Sequence, residues 1–272
     1  MENLIKGLFV GAVTLGGLYV LSTQGRTGHP GLDALKGWKY AHRGLHDETL
    51  PENSIGAFRA ALEHGYGIEL DIHLMKDGNL AVIHDTSLKR TAGADVKITD
   101  LAAADLENYR LGESDEKLPL FSQVLELFAG KAPMIIELKS DNNTQKLVAA
   151  AVKAMEGYEG PWCMESFDPR VVYELKKNYP HIIRGQLVMD YSKEENSPLP
   201  AAVKWILTNQ AENFLTMPDF VACRFSDKYN LGRKLTRKFW GLAGVSWTLK
   251  TQEEFDAAVK DGWLPIFEGF KP

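Results

Sequence analysis

Residues 67–84 read GIELDIHLMKDGNLAVIH, and the fold is decided by how this stretch is divided. Gly67–His73 is a short apolar run in which residues i and i+2 share a face, so Glu69 and Asp71 point the same way, and His73 with them. Asp77-Gly78 is a tight-turn signal, which returns Leu80–His84 as the second arm of a hairpin. Working outward, similar runs recur at Lys39–His42, Pro133–Lys139, Trp162–Glu165, Ile182–Val188, Phe220–Arg224, Leu242–Trp247 and Leu264–Phe267. Helical stretches fall between most of them, at Ser54–His64, Leu101–Asn108, Ser122–Phe128, Asn143–Glu156, Pro169–Asn178, Leu199–Asn209 and Gln252–Asp261. Strand–helix alternation implies a parallel sheet. Nine strand-like runs, one of them a hairpin arm, predict an α/β fold: a (β/α)8 TIM-type barrel preceded by a single N-terminal hydrophobic helix.

The polar residues cluster at strand ends. The first strand closes on His42-Arg43-Gly44, the hairpin arm on His84-Asp85, and the fourth run reads Ile135-Ile136-Glu137-Leu138-Lys139, with Glu137 and Lys139 on one face. In a barrel, inward residues near the C-terminal strand ends meet in one mouth. Glu69, Asp71 and Glu137 converging there would repel one another and be pushed toward protonation. A hard divalent cation relieves that repulsion, and all-oxygen ligation suits Mg²⁺ or Ca²⁺ over Zn²⁺.

Taken together, His42-Arg43-Gly44, Pro51-Glu52-Asn53-Ser54, Glu69-Leu70-Asp71, Lys76-Asp77-Gly78, His84-Asp85 with Leu88 and Arg90-Thr91, and Glu137-Leu138-Lys139 resemble the glycerophosphodiester phosphodiesterase family in order and spacing. The likeness is dense from Tyr40 to Lys139, with Ser166-Phe167-Asp168 and Val245-Ser246-Trp247-Thr248 as later echoes. The last strand, Pro265-Ile266-Phe267-Glu268-Gly269-Phe270, departs from the Ile-Thr-Asp-like ending common in that family. The resemblance implies that Glu69, Asp71 and Glu137 hold the divalent ion, and that His42 and His84 act as general acid and general base. It further implies that Arg43 and Lys139 contact the phosphate and that Trp247 lines the alcohol side of the pocket. Glu52 reads either as a partner supporting these residues or as an acidic residue of the first turn of the helix that begins near Ser54. The implied reaction releases an alcohol and glycerol 3-phosphate. A lysophospholipase D-like lipid hydrolase on the same barrel is the alternative enzyme. A membrane-tethered binding protein without activity is disfavoured because all five of His42, Glu69, Asp71, His84 and Glu137 are present.

The rest of the chain sets boundaries. Of 272 residues, 44% are apolar and the formal net charge is −5, which supports a sizeable core and gives no basic field for nucleic acid. Cys163 and Cys223 each sit in an apolar run and read as buried thiols. No charge occurs between Lys6 and Arg26, and GLFVGAVTLGGLYVLS is long enough to span a bilayer. Tyr19–Ser22 offers no small-x-small cleavage site, so residues 1–25 read as an uncleaved membrane anchor rather than a signal peptide. Basic residues on both sides leave its orientation open. Gly-rich residues 26–38 read as a linker, and residues 39–272 as the phosphodiesterase barrel domain.

Overall fold

Nine apolar runs form nine strands: β1 (Tyr40–His42), β2 (Gly67–Leu74), β3 (Leu80–Val82), β4 (Met134–Leu138), β5 (Trp162–Ser166), β6 (Arg184–Val188), β7 (Phe220–Arg224), β8 (Ala243–Leu249) and β9 (Trp263–Phe267). The computed structural model describes residues 14–141, 143–195 and 197–272. All strands but β3 pair in parallel, and the sheet closes into a barrel because β1 pairs with both β2 and β9. β3 lies antiparallel to the end of β2, with Ile72 opposite Val82, which is the expected hairpin extension. Strand positions were legible because each run is short, apolar and bounded by turn residues.

Around the barrel lie α1 (helical from residue 14 to 22), α2 (Ile55–Glu63), α3 (Lys89–Ala92), α4 (Phe121–Phe128), α5 (Thr144–Ala154), α6 (Pro169–Asn178), α7 (Ala201–Asn209), α8 (Asn213–Thr216), α9 (Leu231–Trp240) and α10 (Gln252–Lys260). Caps start several of them. Ser54 Oγ accepts from the Ala57 amide at 3.0 Å, Asp168 from the Arg170 amide at 2.8 Å ahead of Pro169, and Thr251 from the Glu254 amide at 3.2 Å. The predicted Leu101–Asn108 helix is a 3₁₀ segment, Ala103–Asn108. Helix α9 was not predicted, because LGRKLTRKFW buries Gly232, Arg233 and Thr236 rather than an apolar stripe.

Side chains inside the barrel form layers. Tyr40, Ile135, Cys163, Phe220, Val245 and Ile266 make an apolar lower layer. One pleat step further along β1, β4, β5 and β8 come His42, Glu137, Glu165 and Trp247, while β2 contributes Glu69 beside Ile135 and Asp71 beside Glu137. Gly185 on β6 makes the lower layer possible: a Cβ there would meet the Phe220 ring at 2.2 Å. Both cysteines are free and buried.

Residues 26–38 lie against the N-terminal ends of the strands. Arg26 pairs with Asp219 at 2.5 Å and donates to Ile182 O at 2.9 Å. A 3₁₀ helix, Pro30–Leu35, places Leu35 in the lower layer, where the Tyr40 hydroxyl donates to Leu35 O at 2.6 Å. The first half of the expected anchor, residues 1–13, lies outside the described residues. Among the described residues no helix is long and apolar enough to cross a membrane.

Candidate active site

Strand alternation delivers Glu69, Asp71 and Glu137 to one point: all three are buried, and an oxygen of each lies within 4.8 Å of the others. Asp71 and Glu137 are register partners on β2 and β4. Burial followed by repulsion from Asp71 and Glu137 pushes the Glu69 carboxyl well above its ordinary range, and burial raises Glu137 to about 7. Burial also opposes ionisation of Asp71, but Lys139 and Arg43 outweigh it and hold that carboxyl low. Lys139 Nζ stands 2.9 Å from Glu137 and 3.3 Å from Asp71, and Arg43 Nε 3.4 Å from Asp71. An all-carboxylate donor set under mutual repulsion fits a hard divalent cation and does not fit a soft one.

The loop after β1 is bent to reach this point. Arg43 and Gly44 both have positive φ, at 54° and 83°. The Arg43 amide thereby donates to Glu69 Oε2 at 3.3 Å, while Asn53 Nδ2 donates to Asp71 at 2.9 Å.

Each histidine is backed by a carboxylate. His42 Nδ1 is 2.6 Å from Glu268 Oε2, and His84 Nδ1 is 2.6 Å from Asp85 Oδ1. Burial lowers the His84 pKa, with Asp71 pulling the other way. Asp85 is held in turn by Arg90 at 2.6 Å, and Glu52 bridges Arg90 and Arg43 at 2.7 and 2.9 Å. This chain of charges runs from His84 to Asp71.

A cavity of about 120 Å³ is lined by His42, Arg43, Glu69, His84, Glu137 and Trp247, six of the eight residues singled out from the sequence. Asp71 and Lys139 lie directly behind it through the contacts above. Trp247 packs edge-on against Phe167, 5.6 Å between centroids, and its indole N–H has no partner among the described residues. His73 is not among the residues lining the cavity; its Nε2 is 3.1 Å from the His84 carbonyl.

Two residues were missed. Glu268 lies 226 positions from His42, and no local pattern connects them. Glu165 also lines the cavity, is 1% exposed, and has one oxygen without a partner among the described residues. Burial and then Glu137 push its carboxyl well up. Its signal was available, since alternation along Trp162–Ser166 puts Cys163 and Glu165 on the same inward face.

The model of the glycerophosphoryl diester phosphodiesterase family matches residues 42–267. A glycerophosphodiester phosphodiesterase of Caldanaerobacter subterraneus is 33% identical over 159 residues, 54% of this chain and 65% of that protein. A lysophospholipase D of Homo sapiens is 37% identical over 128 residues, 42% of this chain and 40% of that protein. These matches thus span less than two thirds of the length of either relative. The Thermotoga maritima glycerophosphodiester phosphodiesterase structure shares 26% identity at TM-score 0.63, covering 85% of this chain and 93% of that one. An Oleispira antarctica phosphodiesterase in complex with sn-glycerol-3-phosphate shares the fold at TM-score 0.70 and 19% identity, covering 89% and 95%.

Proposed function

The chain belongs to the glycerophosphoryl diester phosphodiesterase family, and on that premise we propose that it hydrolyses glycerophosphodiesters to an alcohol and glycerol 3-phosphate in a metal-dependent reaction. One observation carries the reading: a buried carboxylate trio and two carboxylate-backed histidines converge on a single cavity. Glu69, Asp71 and Glu137 would hold Mg²⁺ or Ca²⁺, which when bound neutralises charge on the phosphate and polarises it toward attack. Arg43 and Lys139 add two fixed cations at the same place, orienting the diester and stabilising charge that develops on its oxygens.

His42 and His84 handle protons. Because a carboxylate engages each Nδ1, each Nε2 is turned to the substrate, one to take a proton from the attacking oxygen and one to give a proton to the departing alkoxide. The attacking oxygen is either water itself or the substrate's own glycerol hydroxyl, whose cyclic phosphate product is then opened by water. Trp247 walls the alcohol side, and its indole N–H, unpartnered among the described residues, suits a substrate oxygen. The likeness to a human lysophospholipase D keeps lysophospholipids as a second substrate class. For residues 1–25 we keep the reading as a membrane anchor, supported by the uncharged run between Lys6 and Arg26.

The test is a panel of deacylated glycerophosphodiesters and lysophospholipids, assayed on the full chain with chelator and with restored Mg²⁺ or Ca²⁺. Metal-dependent release of glycerol 3-phosphate from the deacylated diesters is expected. Full turnover after chelation and dialysis overturns the metal, and turnover of lysolipids alone transfers the proposal to the second class.

A further inference from the structure

The N-terminal ends of the strands carry an apolar surface that the proposed chemistry does not use. On α1, Leu15, Leu18 and Leu21 are 69%, 57% and 55% exposed, and their spacing puts them on one face. The opposite face holds α1 to the barrel. The Tyr19 hydroxyl donates to Asn209 O at 3.1 Å, the Tyr19 ring lies 5.8 Å from Trp205, and Trp240 Nε1 donates to Val20 O at 3.1 Å. The surface continues onto α7 and α8, where Trp205, Phe214 and Leu215 are 56%, 50% and 49% exposed. Lys176 ties α6 to this patch by donating to Leu215 O at 2.6 Å.

We infer that this surface lies on a lipid bilayer, its apolar side chains at the acyl boundary and its basic rim on anionic headgroups. Two observations select lipid over another occupant. The α1 leucines continue the uncharged run that starts at Gly7, so the surface joins a segment already suited to hydrocarbon. Basic residues stand beside it in a chain of net charge −5: Lys176 donates to Leu215 O on α8, and Arg237 and Lys238 lie in the last turn of α9, the helix whose Trp240 donates to Val20 O on α1. Such a surface lies on the membrane rather than spanning it.

Orientation follows from the barrel. Residues 23–26 lead from α1 to the N-terminal strand ends, where the Arg26 amide donates to Pro218 O at 2.9 Å just ahead of β7. The cavity of His42, His84 and Glu137 opens at the C-terminal strand ends. The docked protein therefore turns its mouth toward water, where a deacylated diester is dissolved; this last step rests on the proposed function.

The experiment mixes the full chain with phosphatidylcholine–phosphatidylglycerol vesicles whose acyl chains carry bromine, and reads tryptophan quenching. Quenching is expected in the parent, and Trp205→Phe removes most of it. Phe214→Glu combined with Leu215→Glu also lowers it, with turnover of a soluble diester unchanged. A chain that floats with vesicles but shows no quenching of Trp205 is held by its N-terminal run alone, which overturns the inference. A vesicle-independent dimer that Trp205→Glu dissociates overturns it in favour of a contact between copies. Turnover is scored separately, so an inactive protein that shows the expected quenching defeats the proposed function and leaves the surface assignment standing.

Discussion

At the scale of single residues, His42 and His84 are bound at Nδ1 by Glu268 and Asp85, the arrangement that leaves one ring nitrogen for proton transfer. His42→Ala and His84→Ala should each lower kcat by about 10²–10⁴. The two act on one substrate, so the double variant should lose less than the product of the single losses. A folded single variant within about threefold of the parent would remove that histidine from the chemistry, since the expected loss is at least about 10². Glu268→Gln keeps an acceptor beside His42 but removes its charge, and should give a smaller loss of kcat with an unchanged melting temperature. The carboxylate trio makes a pH prediction. Burial and then the charge of Asp71 favour the protonated form of Glu137, raising it from 4.5 to about 7 despite Lys139. A carboxyl with a raised folded pKa makes the native state bind more protons than the unfolded chain. Its stabilising effect is therefore full below pH 4.5 and is lost as pH rises through about 7. Metal-free protein should lose on the order of a few kcal/mol across that window, at about 1.36 kcal/mol per unit. Mg²⁺ or Ca²⁺ should abolish the slope. Melting temperatures from pH 5 to 8, with chelator and with metal, decide it, and identical flat profiles would count against the metal site.

At the scale of elements, alternation along strands made most of the site legible. Glu69, Asp71, Glu137 and Lys139 needed only the two-residue period and the rule that barrel strands present their ends to one mouth. His42 and His84 needed the family resemblance as well, because a lone histidine at a strand end has no period to betray it. Glu268 stayed invisible because its partner lies across the closing pair of strands, β1 with β9. Helix α9 stayed invisible because its buried face is Gly232, Arg233 and Thr236, so no apolar stripe marks it. The loop from β1 to α2 supplies a test at this scale. Gly44 has φ of 83°, and a Cβ there would meet the Ala57 backbone at 2.9 Å. Left-handed backbone alone costs a residue with a side chain about 1–2 kcal/mol, and the clash adds to it. Gly44→Ala should lower the melting temperature by roughly 2–4 °C per kcal/mol. It should also depress kcat, because Arg43 lies in the same turn and His42 directly precedes it. A variant with parental kcat and stability would show that the turn is freely adjustable.

At the scale of the whole molecule, the closed barrel has a floor as well as a mouth, and residues 26–38 supply it. Their Gly and Pro content reads as a connector, and composition is silent on packing, so the destination of Leu35 could be known only from the closed sheet. Leu35 is 1% exposed and its carbonyl accepts the buried Tyr40 hydroxyl. Arg26 neutralises Asp219, whose side chain is only 1% exposed and also accepts from the Arg184 amide at 2.9 Å. Two shortened chains separate these contacts from the helix that precedes them. One beginning at Gln24 loses α1 but keeps Arg26 and Leu35, and should retain kcat on a soluble diester with a small change in stability. One beginning at Lys36 loses the floor. Deleting a buried leucine costs about 2–5 kcal/mol, and leaving a buried carboxylate without its cation costs about 3–5 kcal/mol. The two sites are distinct, so the costs should largely add. At roughly 2–4 °C per kcal/mol, the second chain should melt at least about 10 °C below the first. Adding metal should not restore the difference, because the loss lies at the opposite end of the barrel from Glu69, Asp71 and Glu137. Equal melting temperatures for the two chains would mean that the barrel is closed by its strands alone and that Leu35 fills no structural gap.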